Sequence, residues 1–99
     1  MYESRIADAS IDKFFEALSV LESKEDYYRF FEDVCTVVEL KSIAQRFEVA
    51  QMLSEDKIYA DIAAETGAST ATISRVKKCL NYGADGYKLV LERLAQKNK

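Results

Sequence analysis

Apolar positions recur three and four residues apart along most of the chain, the spacing that places side chains on one face of an α-helix. Ile11, Phe14, Phe15, Leu18 and Leu21 make the first such series, with Ser10 placed to cap it. Ser23 followed by Asp26 has the spacing of a reciprocal N-terminal cap, and Tyr27, Phe30, Phe31 and Val34 line the helix it opens. Thr36 and Glu39 repeat that signal at the head of a third helix, which reaches about Ser54. Its stripe is Leu40, Ile43, Phe47, Ala50 and Leu53, widened by Val49 and Met52. Past the polar break at Glu55, Asp56 and Lys57, a short fourth helix is expected from Ile58 to Thr66, with Ile58, Ile62 and Ala63 inward. Ser69 or Thr70 caps a fifth helix that extends to about Leu80. A loop over Gly83 to Gly86, with Asp85 as a cap, leads to a last helix ending near Ala95, whose apolar side is Leu89, Val90 and Leu94. Met1 to Ala9 lacks periodicity and reads as a frayed arm, and Gln96 to Lys99 as a polar tail.

With no proline and three glycines in 99 residues, little interrupts these helices. The expectation is an all-α chain of about six helices in one domain over residues 1–99. Its N-terminal helices span 10–55, a helix-turn-helix spans 57–80 and a C-terminal helix spans 85–95. Apolar residues make up 48% and charged residues 31%, the balance of a folded globular protein. The first three helices are rich in Phe and Tyr and apolar over more than one face. Pairing with a second copy would bury that surface at roughly 25 cal/mol per Å². A homodimer is therefore expected, with a monomeric three-helix core as the alternative.

Several chemistries are excluded. The chain has no histidine, and its two cysteines, Cys35 and Cys79, belong to no CxxC motif, so no metal site and no cofactor are expected. There is no glycine-rich phosphate loop ending in Lys-Ser/Thr, and neither cysteine has an activating neighbourhood, so the chain is not expected to be an enzyme. Met1 to Ser10 is polar and acidic, unlike a secretory signal, and no apolar run approaches the roughly 18 residues of a membrane span. A cytoplasmic protein with reduced thiols, and no membrane partner, is the expectation.

Net charge is −3, but its distribution changes the picture. Residues 1–56 hold 6 basic and 13 acidic side chains, whereas residues 57–80 hold 4 and 2, and residues 81–99 again 4 and 2. The basic segment contains the helix-turn-helix pattern. Ala63 is the small residue facing the partner helix, Gly67 supplies the turn, and Ile73 and Val76 lock the second helix against the first. On the exposed side of that helix, with Arg75 and Lys78, Ser69, Thr70, Ala71 and Ser74 are short, which lets a backbone approach the major groove of double-stranded DNA closely, and Thr72 is a further candidate DNA contact. Arg75 is suited to a bidentate contact with guanine, and Lys57, Lys77 and Lys78 to phosphates. Two interpretations compete: a merely solvated basic face on an ordinary helical hairpin, and a protein-interaction module without DNA binding, in which the hairpin docks on another protein and the acidic first half binds a basic partner.

RFEVAQMLSEDKIYADIAAETGASTATISRVKKCLNYG, residues 46–83, resembles the Trp repressor family, most tellingly over ETGASTATISRVKKCLNYGAD, residues 65–85, since Gly-Ala-x-x-Ala-Thr-Ile-Ser/Thr-Arg recurs in that family's recognition helix. The similarity is greatest to the small tryptophan-repressor-related branch called YerC/YecD and extends more loosely over most of residues 10–95. It implies a Trp repressor-like, six-helix fold, an intertwined homodimer joined by the N-terminal helices, and two reading heads projecting as a pair. The function it implies is that of a sequence-specific transcriptional regulator, a repressor, using helix 69–80 to read DNA.

The resemblance also implies a small-molecule corepressor site. Two arginines hold the indole ring in the tryptophan-responsive member. Arg75 matches the second directly, and Arg46 matches the first if the loop near Asp56 differs by one residue. Val76 stands where that member has glycine, and Cys79 where it has a serine that helps hold the ligand's amino group. A valine there crowds an indole, and losing the hydroxyl leaves a buried ammonium short of a partner, at a cost of about a few kcal/mol. Arg46, Arg75 and Cys79 are thus candidate ligand residues, with tryptophan disfavoured as the ligand. Arg75 is a candidate for either role.

Overall fold

A computed structural model of the chain describes residues 2–98. These form six α-helices and no strand: α1 (Ala9–Leu18), α2 (Lys24–Val34), α3 (Val37–Ser54), α4 (Tyr59–Thr66), α5 (Thr70–Tyr82) and α6 (Gly86–Lys97). None is long and apolar enough to cross a membrane. The chain divides into two compact units, one ending at Leu40 and the other beginning at Lys41.

Local side-chain chemistry opens the helices of the first unit. Asp8, rather than Ser10, caps α1: its Oδ1 accepts the Ile11 amide at 2.8 Å, and the Ser10 hydroxyl donates to the same oxygen at 2.8 Å. A carboxylate is the stronger acceptor, so the serine becomes a supporting donor. Ala9 is consequently helical, and the extended arm is shorter than the missing periodicity implies; Met1 lies outside the described residues. At α2 the reciprocal cap forms as expected, the Asp26 amide donating to Ser23 Oγ while Asp26 accepts the Ser23 amide. Thr36 and Glu39 exchange the same pair of bonds at the head of α3. Between α1 and α2, Phe14 stacks on Phe30 at 5.8 Å and meets Phe31 edge-on at 6.4 Å. No side chain of α1 or α2 is fully buried.

The second unit holds an aliphatic core. Val49, Ala50, Met52, Ile62, Ala68, Ile73 and Val76 are buried, with Leu53, Tyr59, Ala63, Leu80 and Tyr87 packed against them. Only the C-terminal half of the α3 stripe enters this core. Ile43, assigned to the stripe by spacing, remains 48% exposed. Ile58 is 64% exposed, because it occupies the N-cap position of α4 instead of its inner face. On α6 the expected apolar side is also outward: Leu89, Val90 and Leu94 stay exposed, and Tyr87 and Leu91 are the half-buried positions. Helical spacing identifies an apolar face but not what covers it.

The turns follow from backbone chemistry. After α3, Lys57 donates its amide to the Met52 carbonyl and Asp56 to that of Leu53, with Asp56 left-handed at φ 61°. That pairing ends a helix on a left-handed residue, a conformation Asp tolerates better than most. Gly67 ends α4 at φ 75°, its amide on the Ala63 carbonyl. Asp85, expected to cap α6, is also left-handed and makes no cap bond; its carboxylate lies 3.7 Å from Lys88.

Candidate nucleic-acid interface

The Gly67 turn joins α4 to α5. Thr66 Oγ1 donates to the Ile62 carbonyl at 2.7 Å and accepts the Ala68 amide at 3.1 Å, so one hydroxyl stitches the end of α4 to the turn. That role accounts for a polar residue in a half-buried position at the end of α4. Ala68 fills the neighbouring inward position and is buried. Ile62 from α4 and Ile73 and Val76 from α5 close the hairpin core, each exposed by 1% or less.

Ser69, not Thr70, caps α5: its Oγ accepts the Thr72 amide at 3.1 Å and donates to the Thr72 hydroxyl at 3.1 Å. Both side chains are committed to this cap. Ala71, Ser74, Arg75 and Lys78 then lie on the side of α5 opposite Ile73 and Val76, and all four are exposed, as is Thr70 at the helix start. Along this face short side chains lead and cations follow. Because α5 runs two residues past Leu80, Tyr82 joins this face one turn after Lys78 and is 81% exposed. Ending the helix at Leu80 hides Tyr82 from sequence reasoning, although its spacing from Lys78 is the available signal. The helix stops at Gly83, where a Cβ would overlap the Cys79 carbonyl oxygen.

Lys77 is not on this face. Its ammonium lies 5.7 Å from the centroid of the Tyr59 ring on α4, a cation–π contact that turns it toward the flank of the hairpin. There it lines a cleft of about 510 Å³ together with Lys57, Asp56, Tyr59 and Asn81. Lys57 and Lys77 are therefore brought together, apart from Arg75 and Lys78.

The three candidate ligand residues also converge. Arg46, Arg75 and Cys79 line a second cleft of about 550 Å³, walled by Ile43, Phe47, Val76, Tyr87 and Val90. Its described lining contains no carboxylate. Arg46 and Arg75 also line a smaller cleft, of about 320 Å³, with Ser42, Gln45, Ala71 and Thr72. Arg46 and Arg75 thus border both an apolar cleft and a polar one beside the start of α5.

Comparison with known proteins bears on this geometry. The model of a family described as Trp repressor protein matches residues 9–95. The uncharacterized protein YerC of Bacillus subtilis (strain 168) is 49% identical over 96 residues, which are 97% of this chain and 92% of that protein. A candidate Trp repressor from Staphylococcus aureus, solved by crystallography, superposes with a TM-score of 0.88 at 46% identity, covering 92% of this chain and 91% of its own. A TrpR-like protein from Eubacterium eligens ATCC 27750 gives a TM-score of 0.85 at 56% identity, covering 87% and 89%.

Proposed function

Because this chain belongs to the Trp repressor family, we propose that it is a sequence-specific DNA-binding transcriptional regulator, a repressor, acting as a homodimer. The observation that carries this reading is the exposed face of α5, where Thr70, Ala71 and Ser74 precede Arg75 and Lys78 while Ile73 and Val76 hold the helix to its partner. Arg75 reads a base edge in the major groove. Lys78 binds phosphate, and Lys57 and Lys77 bind phosphates on the flank. Ser69 and Thr72 contribute through the α5 cap and the amides it leaves open to a phosphate oxygen. The N-terminal helices join two copies, so two recognition helices meet half-sites about one turn of duplex apart. A cytoplasmic location and a regulatory, non-catalytic role accompany this reading.

The apolar cleft bordered by Arg46, Arg75 and Cys79 is the candidate corepressor site. Tryptophan is disfavoured there, because Val76 is on the wall and Cys79 stands where a hydroxyl would hold the ligand's amino group.

Fluorescence anisotropy against duplex selected by the wild-type protein tests the proposal. Arg75→Ala is expected to lose about tenfold to a hundredfold in affinity and to relax specificity at one position. Lys78→Ala is expected to weaken all duplexes alike and reduce the salt slope by about one. Added tryptophan is expected to leave the wild-type affinity unchanged. Absence of any DNA retardation at low salt would overturn the proposal and leave the hairpin as a protein-docking module.

A further inference from the structure

One side-chain hydrogen bond stands apart from the rest. Among the described residues, every other hydrogen bond involving a side chain joins groups no more than four residues apart, and both ion pairs lie within one turn of helix. Gln45 Nε2 on α3 instead donates to the Thr66 carbonyl oxygen at 3.0 Å, across 21 residues, in a half-buried setting. The acceptor is a last-turn carbonyl of α4, one of the groups that a helix end leaves without an intrahelical partner. Thr66 is also the residue whose hydroxyl stitches the turn, and Gly67 follows it at φ 75°.

The packing that the hairpin shares with α3 is apolar: Val49, Ala50 and Met52 belong to one buried cluster with Ile62, Ile73 and Val76, with Leu53 and Tyr59 packed against it. Apolar burial is non-directional: it holds the elements together and tolerates small rotations between them. A hydrogen bond constrains both distance and angle. Gln45 also borders the polar cleft beside α5 with Thr72 and Arg75, so a rotation about this point moves the residues assigned to base recognition.

We infer that Gln45 is a positioning residue for DNA recognition: its bond to Thr66 fixes the angle at which α5 is presented from α3. The inference rests on the DNA-binding function proposed above. Gln45 makes no base contact itself. It acts through the turn, and its loss lowers discrimination between sequences more than it lowers attraction to the phosphate backbone. Base contacts depend on side-chain placement to within a few tenths of an ångström, whereas attraction to phosphate depends mainly on charge.

The test uses the full chain, with selected duplex and a random duplex of equal length as probes. Gln45→Leu keeps the volume and removes the donor. Its affinity for the selected duplex is expected to fall about threefold to tenfold, the range of one neutral hydrogen bond, while random-duplex affinity stays within twofold of wild type and the circular-dichroism melt stays cooperative. Gln45→Glu adds a chemical signature. Ionised, it is acceptor-only and faces a carbonyl oxygen, so discrimination is lost; protonated at low pH, it regains a donor and discrimination recovers relative to wild type at the same pH. Unchanged discrimination in Gln45→Leu would overturn the inference. So would an equal loss on both duplexes, or a Gln45→Glu defect indifferent to pH. Failure of the wild-type protein to bind either duplex would instead remove the proposed function, and the inference with it.

Discussion

From Asp8 to Leu40 no side chain is buried, whereas seven are buried between Val49 and Val76, five of them at 1% exposure or less. Yet the N-terminal stretch is the more aromatic of the two, with four phenylalanines gathered between α1 and α2. Apolar content therefore does not predict which region makes a core from its own residues. The C-terminal unit brings three helices around small and branched aliphatic side chains that fit one another. The N-terminal unit has stacked rings with one side of Phe15, Tyr27 and Tyr28 left to solvent, the condition expected of a surface completed by a second copy.

The sharpest way to break this contrast is to open the C-terminal core. Ile73→Ala is expected to cost about 2–5 kcal/mol, by lost burial plus the cavity left between α4 and α5, and to abolish cooperative thermal unfolding of the hairpin. A melt unchanged from wild type would show that Ile73 does not hold α5 in place.

A smaller effect is expected from Phe15→Glu, measured by sedimentation equilibrium on the 11.2 kDa chain. Phe15 is 57% exposed in the single chain. If a second copy covers it, exchanging it for a charge raises the dimer dissociation constant about tenfold to a hundredfold, the equivalent of about 1.5–3 kcal/mol for a buried phenylalanine. Helix content should be largely retained. An unaltered dissociation constant would exclude this face from the dimer.

The smallest effect separates the units by acid. Asp8 is held below the ordinary aspartate range by the Ile11 amide and the Ser10 hydroxyl, Asp26 by the Glu22 and Ser23 amides, and Glu39 by the Thr36 amide and hydroxyl. All three open helices before Leu40. A carboxyl whose pKa is lower in the folded chain contributes stability above its unfolded value, and that contribution disappears as pH falls through the folded value. Amide protection at the starts of α1, α2 and α3, measured against the intrinsic exchange rate at each pH, is therefore expected to fall on acidification below about pH 4, before protection in α4 and α5 does. A simultaneous fall throughout would show that the caps do not govern local opening.

The caps were the most legible part of the sequence because their chemistry closes within four residues. Ser23 with Asp26, Thr36 with Glu39, Ser69 at the head of α5 and Gly67 behind α4 all form where spacing and residue type place them. Even there a nearby competitor mattered: Asp8 displaced Ser10 because a carboxylate out-accepts a hydroxyl. The candidate site was legible in part. Spacing put Ser69, Thr70, Ala71, Ser74, Arg75 and Lys78 on one outward face, and all six are exposed, with the Ser69 side chain turned into the α5 cap. It did not reveal that Lys77 leans on Tyr59, that Tyr82 extends the face, or that Gln45 reaches Thr66.

Sequence alone determined the six helices, the Gly67 turn and the order of short and basic residues along α5. Each depends on backbone conformation or on neighbours one turn away. Tertiary structure decided which apolar faces are filled, turning Ile43, Ile58 and Leu89 outward and leaving Val49, Ile62 and Ile73 enclosed. It also decided which polar groups meet across the fold. Periodicity gives a side chain's direction from its own helix axis, but what lies in that direction is set by the packing of distant segments.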